Sequence, residues 1–256
     1  MTVWPDTLWL VRHAESAGNI ARDAALSAGL HEIDVHVRDV DVPLSPLGER
    51  QAAALGRWFG AMPPAQQPTV ILTSPYVRAL RTAAIMRETA GLGPAIVPTV
   101  IDERLREKEF GILDRLTRVG IDARHPDQAE FRRLLGKFYH RPPGGESWCD
   151  VILRLRTVVE MMTREYARER VLVVCHSVVV LCFRYILEHM TEAEILRVDH
   201  DTDVANCSVT TYRGEPGRDG ATRHPHLALE TFNFVAPLEA AGAPVTAEPD
   251  TNAAIR

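Results

Sequence analysis

An α/β fold with a mainly parallel central sheet is predicted by two observations. Short apolar runs alternate with segments of helical length, and two of those runs end in a histidine. Alternation of this kind is the pattern of parallel βαβ units, and open α/β sheets place their ligands at the carboxyl ends of strands. Thr7 to Val11, rich in Leu, Val and Trp, reads as a buried strand that delivers Arg12 and His13 there. Arg170 to Cys175 repeats the pattern and delivers His176.

The elements follow in chain order. A strand near 7 to 13 precedes a helix over 46 to 60, and a strand over 69 to 73 precedes a helix over 75 to 91. Ser74-Pro75 supplies that second helix with an N-cap and a proline at its first position. A strand over 95 to 99, helices within 126 to 139 and 147 to 168, and the strand over 170 to 175 come next, with Ser147 as an N-cap. Then a helix spans Val178 to His189 and a shorter one Glu192 to Leu196. Cys207 to Tyr212 and Leu227 to Phe234 read as paired strands around a Gly-rich turn, finishing the sheet with an antiparallel edge. No internal repeat is present. A chain of 256 residues, 46% hydrophobic and 25% charged, can bury one substantial core. The expectation is a single domain over 1–236, with lid insertions near 20–42 and 112–148. The Ala, Pro, Glu and Thr composition of 237–256 reads as a disordered tail.

An imidazole at a strand end can be a nucleophile towards phosphorus, and a neighbouring guanidinium can grip phosphoryl oxygens through paired charge-assisted hydrogen bonds. His13 and Arg12 have these chemistries, although a strand-end histidine can also simply cap a sheet. Arg78 falls in the first turns of the helix after Ser74-Pro75, where free N–H groups and the macrodipole already favour anions. Arg81 and Arg87 read as solvated. Leu105-Arg106-Glu107-Lys108-Glu109-Phe110-Gly111 offers carboxylates for proton transfer.

These segments, in this order, resemble the histidine phosphatase superfamily, in its phosphoglycerate mutase-like branch. Arg12-His13-Ala14-Glu15-Ser16 with Asn19 resembles the RHGES-x-x-N signature, and Ser45-Pro46-Leu47-Gly48 with Gln51-Ala52 resembles the L-[ST]-x-x-G-x-x-Q-A helix start. Ser74-Pro75, Arg78-Ala79 and Thr82-Ala83 resemble SP-x-x-RA-x-x-TA; Leu105, Glu107 and Gly111 resemble L-x-E-x-x-x-G; Val174-Cys175-His176-Ser177 resembles V-x-H-G. Ala14 and Ser177 stand where the family has glycine. The resemblance covers roughly residues 7 to 235. It implies a three-layer α/β/α fold, a phosphohistidine on His13, Glu107 as general acid and base, and His176 as a second catalytic histidine. It further implies a phosphate site of Arg12, Asn19, Arg78 and Ser177, with no cofactor and no metal. Among nearby carboxylates, Glu107 stands four residues before Gly111 as the family's acid does, whereas Glu103 and Glu109 need a slipped register.

The function classes left open are a metal-independent phosphomonoesterase, which is favoured, a phosphoglycerate-type mutase, and a silent phospho-ligand reader. Arg115, Arg118, Arg132, Arg133 and Arg141 could supply the extra cations a mutase needs. The segment from Phe138 to Trp148, with Pro142-Pro143-Gly144-Gly145, reads as a fixed loop from which His140 and Arg141 could reach over the pocket. Ile20 to Val42 reads as a solvated excursion or a cap. The expected partner is a small phosphorylated metabolite, with a homodimer possible. A net charge of −5 argues against a nucleic-acid coat, which needs a basic face. No apolar run reaches transmembrane length and no leader is evident, so a cytoplasmic protein is expected, away from membranes. Cys149, Cys175, Cys182 and Cys207 lack metal spacing and read as buried thiols. Asp199 to Asp203 reads as a solvated acidic loop, and His224-Pro225-His226 as a surface turn. His31, His36, His125 and His189 read as surface or core.

Overall fold

In the computed structural model, which describes residues 3–216 and 226–247, the first apolar run forms β1 (Thr7–Arg12). Parallel to it lie β4 (Arg170–Cys175), β2 (Val70–Thr73) and β3 (Thr99–Ile101), and antiparallel to it runs β5 (Val209–Glu215), followed by β6 (His226–Phe234). The sheet order is β3-β2-β4-β1-β5-β6. Every residue of β1 is buried, as expected of a strand covered on both faces.

The period of two divides the core into two layers. Leu8, Leu10, Val171 and Val173 pack against α6 (Trp148–Glu165) and α7 (Ser177–Leu187) through Val151, Leu155, Val158 and Phe183. Trp9, Val11, Leu172 and Val174 face α2 (Pro46–Gly60) and α3 (Val77–Thr89) through Leu55, Phe59, Ala79 and Met86. Helices on both faces make the three-layer α/β/α arrangement that the motifs implied. The remaining helices are α1 (Ala17–Ser27), α4 (Arg118–Arg124), α5 (Pro126–Tyr139), α8 (Glu192–Asp201) and α9 (Ala236–Ala240).

Several boundaries differ from expectation for tertiary reasons. Ser74 does not cap α3: Tyr76 is its N-cap and makes no side-chain capping bond, while the Ser74 hydroxyl sits 2.8 Å from His176 Nε2. The acidic run at 199–201 is the end of α8, started by a Thr191–Glu194 capping box, and Asp199 is ion-paired with Lys137. The third strand begins at Thr99 rather than 95. The expected tail is ordered through residue 247. Leu238 in α9 is fully buried, and the Pro244 carbonyl and Thr246 hydroxyl accept from Gln51 Nε2 at 2.9 and 3.0 Å. Two apolar side chains with a core to enter, Pro237 and Leu238, outweigh a tail-like composition. Residues 248–256, the Gly-rich turn, and His224-Pro225 lie outside the described residues.

Among the described residues no helix is long and apolar enough to cross a membrane. Cys149, Cys175, Cys182 and Cys207 are free thiols. Leu238→Ala is expected to lower unfolding stability by about 2–4 kcal/mol, read as a shifted urea midpoint at constant slope. An unchanged midpoint would show that this segment adds nothing to the core.

Candidate active site

Parallel strands in register bring their carboxyl ends to one place. Arg12 pairs with Cys175 across the β1–β4 ladder, His13 N donates to the Cys175 carbonyl at 2.9 Å, and Ser74 N donates to the Val174 carbonyl at 3.0 Å. The two histidines therefore emerge side by side, ring centroids 5.1 Å apart and edge to face. Arg78 follows as the second residue of α3. From the end of β3 the chain runs through a single 3-10 turn, Glu103–Leu105, to Glu107.

The His13 ring is fixed by Nδ1, which donates to the Ala14 carbonyl at 2.8 Å and leaves Nε2 as the nitrogen with a lone pair. Burial, then the Arg78 and Arg12 guanidiniums, hold His13 well below the usual imidazole range. The same burial and cations act on His176. Both rings are thus neutral near pH 7. Burial pushes Glu107 the other way, above the ordinary glutamate range, against the lowering effects of the Lys108 N–H and Arg78.

A cavity of about 610 Å³ opens here, lined at one end by Arg12, His13, Asn19, Arg78, Glu107 and Ser177. Glu103 and Glu109 do not line it, so Glu107 is the carboxylate of that segment beside His13. Glu109 instead accepts from the Tyr76 hydroxyl at 2.9 Å. His176 is fully buried behind His13, with its Nδ1 lacking a hydrogen-bond partner. Asn19 closes the α1 capping box with its Oδ1, which accepts from Ser16 N at 2.7 Å, so the donor end of the amide is the one suited to an anion. Ser177 is the first residue of α7, where the helix presents its N-terminal N–H groups. Neither Ala14 nor Ser177 has a positive φ, so the glycines they replace are not needed for backbone geometry.

The loop after His13 is held from all sides by residues the sequence did not single out for a role. Asn206 Nδ2 donates to the His13 carbonyl at 3.0 Å, and Thr82 Oγ1 accepts from Ala14 N at 3.1 Å. Gln51 Oε1 accepts from Glu15 N at 2.9 Å, and Ser45 Oγ donates to the Glu15 carboxylate at 2.6 Å. Gly48 lies so close that a Cβ there would sit 2.0 Å from the Glu15 carbonyl. The Ser-x-x-Gly-x-x-Gln spacing is therefore a clamp on the nucleophile loop. The Glu107 segment is braced likewise, by Arg154, which donates to the Glu107 carbonyl at 3.2 Å while paired with Glu146 at 3.0 Å.

Asp39 is the largest surprise. Its carboxylate takes one edge of Arg78, with Nη1 and Nη2 donating at 3.0 and 3.1 Å, and its own carbonyl accepts from Nη1 at 2.6 Å. Of the five arginines considered as extra cations, Arg115, Arg118, Arg132 and Arg133 line the cavity, whereas Arg141 is paired with Asp150 at the start of α6. His140 is buried and lines the cavity. Among the described residues no three His, Cys, Asp or Glu side chains are grouped to hold a metal ion.

Comparison with known proteins gives concordant matches. A family model described as the histidine phosphatase superfamily, branch 1, matches residues 8–224. A 2,3-bisphosphoglycerate-dependent phosphoglycerate mutase of Methylobacterium radiotolerans is 30% identical over 225 residues, covering 82% of this chain and 98% of that one. Among solved structures, a mycobacterial glucosyl-3-phosphoglycerate phosphatase in complex with VO3 superposes with a TM-score of 0.64 at 25% identity, over 90% of this chain and 99% of that one. Bacillus stearothermophilus YhfR gives 0.66 at 28%, over 91% and 98%.

Asp39→Asn is expected to tighten binding of inorganic phosphate by about twofold to fivefold, because it removes a carboxylate from the edge of Arg78 while keeping its shape. Isothermal titration reads this directly. Weaker binding would mean that Asp39 serves chiefly to orient the arginine.

Proposed function

The chain belongs to the histidine phosphatase superfamily, and on that footing we propose that it hydrolyses phosphomonoesters through a phosphohistidine on His13, without a metal ion. The observation that carries this reading is the tether of His13 Nδ1 to the Ala14 carbonyl in a site whose burial, helped by its cations, lowers the proton affinity of the ring. A nucleophile so oriented has its lone pair on Nε2 ready for phosphorus.

In the first step the Nε2–P bond forms as the bond from phosphorus to the ester oxygen breaks, and Glu107 gives its proton to the leaving alkoxide. Water then attacks phosphorus, Glu107 takes a proton from it, the N–P bond breaks, and inorganic phosphate leaves with His13 restored. Arg12 and Arg78 offset the charge of the phosphoryl oxygens, with the Asn19 amide and the Ser177 helix start as further donors. Fixed protein cations do here what a divalent ion does in other phosphoryl-transfer sites. The substrate is a small phosphorylated metabolite, and the free thiols suit a cytoplasmic protein.

A second reading, a mutase that returns the phosphoryl group to its substrate, is favoured by the 30% identical relative that carries that activity in its name. Phosphate release against conversion of 3-phosphoglycerate separates the two.

His13→Ala is expected to abolish phosphate release from p-nitrophenyl phosphate, with wild-type release unaffected by EDTA; a large loss with chelator would sink the metal-independent mechanism. Glu107→Gln should lower kcat by about 10²–10⁴ for alkyl esters, and by less for p-nitrophenyl phosphate, whose leaving group needs little protonation. The pH profile follows from the signs of the shifts. His13 must be neutral, so activity falls as pH drops through its lowered pKa; Glu107 must start protonated, so activity falls as pH rises through its raised pKa. An optimum well above pH 8 would contradict this assignment.

A further inference from the structure

The cavity extends well past the phosphoryl end, and one of its walls is apolar, beside a charged rim that includes Arg115, Arg118, Arg132 and Arg133. A volume of about 610 Å³ is of the class that buries a drug-sized ligand, several times what a phosphoryl group and a three-carbon acid occupy. We propose that this extension is a subsite for an apolar substrate body, so that the preferred substrates are alkyl or aryl phosphomonoesters rather than small polar ones. The inference rests on reading the cavity as the substrate site of a phosphomonoesterase.

The wall is built by the segment between α1 and α2. Along it Ile33, Val35 and Val37 line the cavity, while Asp34 and His36, which alternate with them, turn outward and pair with each other at 2.9 Å, 81% and 91% exposed. That is a strand-like alternation with its apolar side turned to the ligand space instead of to a protein core. Leu113 and Ile121, from the second insertion, complete the wall opposite.

This wall is rigidly held. Ile33 N donates to the Arg115 carbonyl at 2.8 Å, Arg115 Nη1 donates to the Val35 carbonyl at 3.0 Å, and Thr117 N donates to the His31 carbonyl at 3.1 Å. Gly120 permits the contact, since a Cβ there would stand 2.0 Å from the His31 carbonyl. Two insertions from distant parts of the chain are thus bonded together to present valine, isoleucine and leucine to a space continuous with Arg12 and His13. Each methylene buried on this wall is worth about threefold to fourfold in affinity.

The test is calorimetric binding of n-alkylphosphonates from methyl to hexyl, which carry the charged head and cannot be hydrolysed, with release of phosphate from the matching alkyl phosphates and p-nitrophenyl phosphate measured in parallel. Affinity should rise by about threefold per methylene over the first several members, and Val37→Glu, its fold checked by circular dichroism, should flatten the series. A flat or falling series in the wild-type protein overturns the subsite, as does tighter binding of 3-phosphoglycerate than of hexylphosphonate, or an unchanged slope in Val37→Glu. The two readings fail separately. A rising phosphonate series with no phosphate released from any ester keeps the subsite and removes the phosphatase; phosphate release with a flat series does the reverse.

Discussion

Four basic side chains share one buried patch at the ends of β1 and β4, and the rest of the site is arranged around the cost of keeping them there. Arg12, Arg78, His13 and His176 are each at most 6% exposed. Burial first, and then the two guanidiniums beside them, hold both histidines below their ordinary range. Each arginine has a partner: the Val204 carbonyl accepts from Arg12, and Asp39 takes an edge of Arg78. The result is a pocket of fixed positive charge lined with neutral imidazole, ready for a dianion before one arrives.

The part of this arrangement that depends on local sequence is legible in the chain. Apolar runs that end in Arg12-His13 and in Cys175-His176 identify buried strands and the groups at their ends, because a buried strand needs no alternation and a strand end is where ligands bind. Glu107 is legible from its spacing to Gly111. What is not legible depends on partners distant in the chain. Asn206 reaches the carbonyl of His13 across 193 positions, and nothing around Asn206 marks it. Ser74 has the look of a cap and is drawn instead to His176, because the adjacent strand end offers a buried ring nitrogen. The segment from 237 to 247 has a tail's composition, yet Leu238 finds a core, and Thr246, donating to Asn206 at 3.1 Å, joins the network that holds His13. The alternation in Ile33, Val35 and Val37 is present in the sequence, but without the cavity beside it a half-apolar segment reads as solvated.

Frame and insertions answer to different constraints. The strand ends place the phosphate-binding side chains in register on a hydrogen-bonded ladder, and Ser45, Gly48 and Gln51 clamp the loop that follows His13. The segments at 28–42 and 111–121 carry no part of the sheet, so their side chains are free to differ without disturbing it. Asp39 joins the two systems. It belongs to the insertion but binds an arginine of the frame, and its charge also raises the proton affinity of Glu107.

That coupling gives the proposed acid and base role a physical basis. In the free protein burial raises the proton affinity of Glu107, while Arg78 and Arg12 pull it down. A bound dianion cancels much of the field of those guanidiniums, so substrate strengthens the hold of Glu107 on its proton at the stage when an acid is needed. Once the proton has left with the alkoxide, the carboxylate is the only new negative charge near two arginines. The phosphoryl group, now on His13, still offsets those arginines, so the carboxylate keeps the basicity to take a proton, and water entering beside it meets both the proton acceptor and the phosphorus. One side chain can therefore serve both halves of the reaction because the phosphoryl group offsets the buried arginines in each of them.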